Sequence, residues 1–221
     1  MQMDTDTLNH RLTELGVRGV DAYCTKLVAN AGNSDVLGDL RSEAAAAMMF
    51  STAGFTVEMR DRPDLWLTGF GQSFAAEVKH FRYKSLDSVD DVALRNHGDY
   101  LVEFGDTRLT EGYAAWDQVA NVARRKVAQF TGRVPYLLVI QSSSLHCIDD
   151  LVVRTAANIL DEEISADAHA PLSALSGIVF LSREFRIPDT KNVYFFGLPA
   201  SQNPLLPSVH DALKRMRRWS H

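Results

Sequence analysis

Two acidic residues and a lysine lie close together in a segment typical of a β-hairpin. Asp64 begins a short apolar stretch, and Glu77 and Lys79 lie in the next one. Because successive side chains of a strand point to opposite faces, Glu77 and Lys79 point the same way. Asp64 shares a face with Trp66 in the adjacent strand. We therefore expect two carboxylates and an ammonium group on one sheet surface, within reach of a common cation.

A further carboxylate belongs to the helix that precedes the hairpin. Glu43 falls on the apolar stripe of that helix, whose other members are Val36, Leu40, Ala47 and Phe50. A carboxylate on such a face is unfavourable unless it is paired or coordinated, although one at the border of an Ala-rich face can also reach water. A set of oxygen ligands favours Mg²⁺ or Mn²⁺ over zinc.

The elements around these residues alternate between helix and strand. Hydrophobic periods and turn residues predict two short N-terminal helices and then, in order, a helix over 35–53, strands over 55–60, 65–68 and 73–81, a helix over 111–131, a strand over 134–141, a helix from Ser144 to about Ile164, strands over 177–182 and 192–198, and a helix over 207–219. Residues 82–110 contain no long periodic element. The order predicts an α/β fold with a mixed sheet.

The hairpin motif has a known counterpart. Pro63-Asp64, twelve further residues and then Glu77-Val78-Lys79 resemble the PD-(D/E)xK nuclease superfamily, and the resemblance covers roughly residues 36–143. It implies a restriction-endonuclease-like three-layer core, with a mixed central sheet flanked by helices. It also implies that Asp64, Glu77 and the Val78 carbonyl bind Mg²⁺ or Mn²⁺ and that Lys79 orients or activates water. Glu43 looks like the additional helix carboxylate of many members.

The expected function is that of a metal-dependent nuclease, of the endonuclease type, that hydrolyses phosphodiester bonds in DNA. Such a reaction needs the phosphate charge neutralised and a water delivered in line, which a metal and a fixed ammonium group provide. RNA is not excluded as a substrate. The alternative is a catalytically inactive nuclease-like domain that binds nucleic acid or a protein partner. Asp64, Glu77 and Lys79 could also form an ion-pair ladder on an exposed strand face.

Two basic groups are candidates for binding nucleic acid. The first is the run Arg124, Arg125 and Lys126 on the helix over 111–131, which could hold phosphate or simply form a solvated helix face. The second lies near the C-terminus and comprises Lys214, Arg215 and Arg218. It could follow a phosphate backbone or belong to an ordinary amphipathic end helix.

Composition places limits on the class of protein. The 221 residues, 46% of them hydrophobic, carry a net charge of −5, which argues against a broadly basic coat for nucleic acid. We expect a helical extension over 1–34, a nuclease-like domain over 35–200 and a basic C-terminal helix over 201–221 packed on that domain. We expect a cytoplasmic protein without membrane contact, because the chain shows no signal pattern or long apolar run and has only two cysteines. A homodimer is possible.

Overall fold

The structure is a computed structural model that describes residues 5–81, 115–130, 132–142, 148–183 and 190–220. The unassigned segment 82–110 lies outside the described residues. The helices are α1 (Thr5–Glu14), α2 (Val20–Ala29), α3 (Ser34–Thr52), α4 (Ala115–Val127), α5 (Asp150–Ala166) and α6 (Pro207–Arg215), with a 3₁₀ helix at Pro171–Ala174. The strands are β1 (Thr56–Met59), β2 (Leu65–Gly69), β3 (Gln72–Phe81), β4 (Tyr136–Ser142), β5 (Leu175–Arg183), β6 (Thr190–Gly197) and β7 (Arg218–Ser220).

The seven strands form one mixed sheet whose spatial order is their order in the chain. Strands β1, β2 and β3 are antiparallel neighbours, β3, β4 and β5 run parallel, and β6 and β7 return antiparallel. The parallel strands form the centre of the sheet, where both faces are covered. The predicted α/β class with a mixed, helix-flanked sheet is therefore confirmed.

Helices cover both faces of the sheet and make three layers. One core joins α1, α2, α3 and α6 to the face that carries Phe74, Ala76 and Val78 of β3. The other joins α4 and α5 to the opposite face, which carries Ala75 of β3 and Leu138 of β4. This division follows from the alternation of apolar side chains along β3 and β4, because both sets are buried.

The first two helices belong to the first of these cores. Leu8, Leu12, Tyr23 and Leu27 are buried in it, as the helical spacing of these apolar residues predicts. The segment between the helices also contacts the sheet directly, because Arg18 N donates to Val57 O at 2.9 Å and Arg18 O accepts from Met59 N at 2.9 Å. Residues 5–34 are thus packed on the sheet as a continuous part of the described core.

Three predicted helix boundaries were wrong. Helix α5 begins after Asp149, not after Ser144, because the Asp149 carboxylate caps it by accepting a bond from Val152 N at 2.8 Å. The C-terminal helix ends at Arg215, and Arg218 lies in β7, where it pairs with Asn192 of β6. Pairing with a sheet edge overrides the helical pattern at this point.

The helix predicted over 111–131 is present as α4 but ends at Val127, because the described residues 128–130 are not helical; residues 111–114 and 131 lie outside the described part of the chain. Among the described helices, none combines the length and the apolar character that crossing a bilayer requires.

Candidate functional site

The hairpin of β2 and β3 brings Asp64 next to Glu77. The pairing of these strands ends with Leu65 opposite Ala76, so the next position of each strand places Asp64 beside Glu77. Strand β3 continues beyond this point to Phe81. The backbone of β3 at residues 77–79 therefore lies past the last registered pair with β2, where it is open to the Asp64 side chain.

Asp64 is held in place by its side chain and its backbone. Its Oδ2 accepts a hydrogen bond from Val78 N at 2.8 Å, and its carbonyl accepts one from Arg60 N at 2.9 Å. The N–H and C=O groups of one residue in an extended strand point to the same side. The Val78 carbonyl therefore also faces the Asp64 side, as the expected ligand set requires.

Three carboxylates influence one another at this place. Burial and then the negative charge of Glu77 raise the pKa of Asp64 from 3.8 to about 7, against the lowering effect of the Val78 hydrogen bond. Burial and then the charge of Asp64 raise the pKa of Glu43 from 4.5 to about 8, with Glu77 and Asp39 adding to the effect. These mutual effects show that α3 brings Glu43 into the electrostatic range of Asp64 and Glu77. Each carboxylate therefore makes ionisation of the others less favourable, and a nearby cation would offset this effect.

Helix α3 can present Glu43 in this way because of its sequence. Asn33 caps the helix, and its side chain accepts bonds from Asp35 N and Val36 N at 3.2 Å each. The buried alanines at 44–47 let α3 approach the sheet closely, and Glu43 is half-buried at their border. Glu43 is thus partly withdrawn from water, and burial raises its pKa, but it also lines a cleft through which its carboxylate can reach water.

Helix α2 and the end of β1 complete the surroundings of Glu43. They form a small cleft of about 120 Å³, lined by Gly19, Ala22, Tyr23, Lys26, Glu43, Met59, Arg60 and Asp61. The Tyr23 hydroxyl donates to Leu40 O at 2.8 Å and so attaches α2 to α3 one turn before Glu43. Lys26 forms an ion pair with Asp61, and its positive charge lowers the pKa values of Glu43 and Asp64.

Lys126 reaches the same carboxylates from the other layer. Its Nζ bonds to Oε1 of Glu77, and the exposed fractions of the two side chains are 30% and 14%. Its charge also lowers the pKa of Asp64. Sequence reasoning assigned Lys126 to phosphate binding and missed this contact. Lys126 follows Val119 by seven residues and Val122 by four, so it lies on the buried stripe of α4. This spacing could have indicated that Lys126 faces the sheet.

The remaining residues of the first basic group have different environments. Arg124 forms a two-pronged ion pair with Glu163 of α5 and also bonds to Asn121 Oδ1 at 2.6 Å. Arg125 is exposed, and its Nε donates to Asn121 O at 3.3 Å. Of the three predicted phosphate-binding residues, Arg125 is thus the one whose charge faces solvent.

The second basic group lies elsewhere on the molecule. Lys214 and Arg215 are exposed on α6, which packs on the α3 face, whereas α4 packs on the opposite face. Arg218 is in β7, four strands from β3 or roughly 19 Å at the usual strand spacing. The structure therefore does not bring the two basic groups together.

Lys79 lies on the same face of β3 as Glu77, as predicted, and is half-buried. Tyr136 of β4 shares that face and is fully buried, and the pKa of its phenol is raised by burial and by the charges of Glu77 and Asp64.

Within the described ranges, no group of three or more His, Cys, Asp or Glu side chains is close enough together to hold a metal ion. Comparison with protein-family models, curated proteins and solved structures finds no match to the chain.

Proposed function

We propose that this protein is a metal-dependent nuclease that hydrolyses phosphodiester bonds in DNA. The observation that carries the proposal is the position of Asp64, whose side chain bonds to the β3 backbone between Glu77 and Lys79. This supports the resemblance to the PD-(D/E)xK superfamily, because it places the two halves of the motif side by side. The order helix, three strands, helix, strand also supports a restriction-endonuclease-like core.

The donor set suits Mg²⁺ or Mn²⁺. Asp64, Glu77 and the Val78 carbonyl would hold the ion, and all three offer oxygen. Burial and then mutual repulsion raise the pKa values of Asp64 and Glu43, and a bound cation would offset that repulsion. When bound, the ion would neutralise charge on the phosphate and favour deprotonation of a water.

The protein's own groups would orient the reactants. Lys79 lies on the Glu77 face, where its ammonium group can hold a water and stabilise charge that develops on phosphate oxygens. Asp64 is kept in position by Val78 N and by its own carbonyl bond to Arg60. Glu43 carries a proton on its carboxyl group near neutral pH in the metal-free protein and would lose it when a cation arrives.

A nicking assay tests the proposal. Its substrates are plasmid, linear and branched DNA, together with linear and branched RNA. We expect cleavage with Mg²⁺ or Mn²⁺ and a loss of at least about 100-fold in Asp64→Asn and Glu77→Gln. Asp211→Asn is the matched control, because Asp211 lies on α6, away from the hairpin, and its side chain is 68% exposed. If all substrates in the panel remain intact and Asp64→Asn does not change the metal affinity, the proposed nuclease activity is refuted.

A second function, binding of nucleic acid or a protein partner without cleavage, is favoured by one observation. The ammonium group of Lys126 already neutralises Glu77, so the described carboxylates do not form a ready metal cage. A salt titration separates the two kinds of partner. Affinity for nucleic acid must fall steeply as salt rises, because phosphate contacts release counterions, whereas affinity for a protein partner need not.

A further inference from the structure

The contact between Lys126 and Glu77 joins two layers of the fold at the proposed metal site. Lys126 comes from the last turn of α4, whereas Glu77 lies on β3 beneath it. The ammonium group bonds to Oε1 of Glu77, one of the two oxygens that this carboxylate has for a metal. It thus occupies an oxygen that a cation bound to Glu77 would need.

We propose that Lys126 is an internal counter-ion that takes the place of the divalent cation and must leave Glu77 before the cation binds there. This inference rests on the proposed function and deepens it. An ammonium group and a divalent cation compete for the same carboxylate oxygen, and their like charges repel at short range. Lys126 would therefore keep the metal-free site compact and set a lower affinity for the metal than Asp64 and Glu77 would have without it.

Lys126 can leave without moving its helix. Helix α4 is held by the buried side chains of Val119 and Ala123 and by the ion pair between Arg124 and Glu163. A lysine side chain is a flexible four-carbon stem, and this one is already 30% exposed. Its release would place a free ammonium group beside the site, close to where a substrate phosphate would bind.

The first test measures Mn²⁺ affinity by titration calorimetry in the full-length protein and in two variants. We expect Lys126→Met to bind Mn²⁺ about tenfold more tightly than the wild type, a difference of about 1.4 kcal/mol. Arg125→Met is the matched control, because it removes the same charge from the adjacent, exposed position, and we expect it to stay within about twofold.

The second test uses the wild type and so does not depend on the folding of a variant. Amine-reactive labelling followed by mass spectrometry compares Lys126 in EDTA and in saturating Mn²⁺. We expect Lys126 to be labelled several-fold faster with Mn²⁺, since Glu77 no longer holds it, and the exposed Lys214 to be labelled at an unchanged rate.

The outcomes separate this inference from the proposed function. If the wild type binds Mn²⁺ through Asp64 but Lys126→Met gains no affinity and the labelling rate of Lys126 does not rise, only the counter-ion role is overturned. If neither wild type nor Lys126→Met binds Mn²⁺ in a way that depends on Asp64, the metal site and the counter-ion role both fall. Binding of Mn²⁺ by Lys126→Met but not by the wild type would support the counter-ion role and indicate that Lys126 excludes the metal.

Discussion

The packing around Glu43 and Asp64 holds two acidic side chains in surroundings that disfavour their ionised forms. Both carboxyl groups are partly removed from water by α3 and the hairpin, and each is near enough to the other and to Glu77 to be affected by their charges. The surrounding packing keeps them there, because Glu43 lies on a helix with nine buried residues and Asp64 adjoins the fully buried Leu65. The stability of the metal-free protein should therefore depend on pH through these two groups.

We expect the metal-free protein to lose stability as pH rises from about 4 to about 8. The folded carboxyl groups, with pKa values of about 7 and 8, still bind protons in a range where the unfolded ones, near 4, have lost them. Raising the pH removes those protons and the stability they confer. Glu43→Gln should weaken this dependence and raise the free energy of unfolding at pH 8 by about 1–2 kcal/mol.

Urea unfolding in EDTA at pH 5, 6.5 and 8 provides the measurement. Glu14→Gln is the control, because its side chain is 55% exposed on α1, and its stability should follow the wild-type pH dependence. A Glu43→Gln protein whose stability falls with pH as steeply as that of the wild type would contradict the assignment.

Arg124 and Arg125 are adjacent in sequence but should respond differently to removal of their charge. Arg125→Ala is expected to weaken DNA binding for all sequences alike, because the Arg125 side chain is exposed. The slope of log affinity against log salt concentration should become shallower by about 1. Arg124→Ala should chiefly lower stability, by about 0.5–1 kcal/mol, through the partly exposed pair with Glu163.

Fluorescence anisotropy with labelled DNA at several salt concentrations, alongside thermal melts, distinguishes the two variants. Equal losses of DNA affinity in both, without any change in stability, would argue that Arg124 leaves Glu163 to bind phosphate.

At the level of elements, α3 determines where Glu43 lies. Its start is defined by the Asn33 cap, and its end is marked by the C-cap Ala53 before Gly54, which has a φ of 90°. Phe50 of α3 makes edge-to-face contacts with Phe55 and Phe74, at ring separations of 5.9 and 6.4 Å, which attach the second half of the helix to the sheet. The cap and these rings together set the axial position of the helix.

Removing the cap should therefore destabilise the protein measurably. We expect Asn33→Ala to lower the free energy of unfolding by about 1 kcal/mol, since two backbone N–H groups lose their acceptor. Asn158→Ala makes the same change at an exposed interior position of α5 and should be neutral or stabilise by a few tenths of a kcal/mol. Chemical denaturation compares the two, and equal effects would contradict a capping role.

At the level of the whole molecule, α1 and α2 complete the site as well as the core. Gly19 precedes α2 as its N-cap with a φ of 78°, and a Cβ atom there would lie 2.3 Å from the carbonyl oxygen of Met59. This close approach brings Tyr23 and Lys26 to the cleft beside Glu43. The first 34 residues should thus affect both stability and the electrostatics of the site.

Gly19→Ala is expected to lower the free energy of unfolding by more than about 2 kcal/mol, because the added methyl group forces α2 away from β1. Gly16→Ala provides a matched control. Gly16 also has a positive φ, of 69°, but no atom lies within 4 Å of an added Cβ, so only the backbone strain of about 1 kcal/mol remains. Thermal melts of both proteins test this. Equal losses would indicate that the contact with Met59 is not tight.

Several features of the fold and the site followed from local patterns alone. The period-2 alternation over 73–81 was enough to place Glu77 and Lys79 on one face, and Asp64 met Glu77 because a short hairpin permits few registers. The helix predicted over 35–53 agrees with α3 to within one residue at each end, because capping is a local interaction. In these cases the residues that decide the structure are neighbours in sequence or are joined by one tight turn.

The contacts between layers depended on tertiary structure. Lys126 and Glu77 are 49 residues apart, and whether they meet depends on the layer to which α4 packs. For the same reason, the helix that carries Lys214 and Arg215 and the helix that carries the first basic group pack on opposite faces of the sheet. Arg218 left the predicted helix because the edge of β6 offered it backbone partners. The amino-acid pattern by itself determined the elements and the motif, whereas side-chain pairing across the sheet was decided only by long-range packing, which no local period encodes.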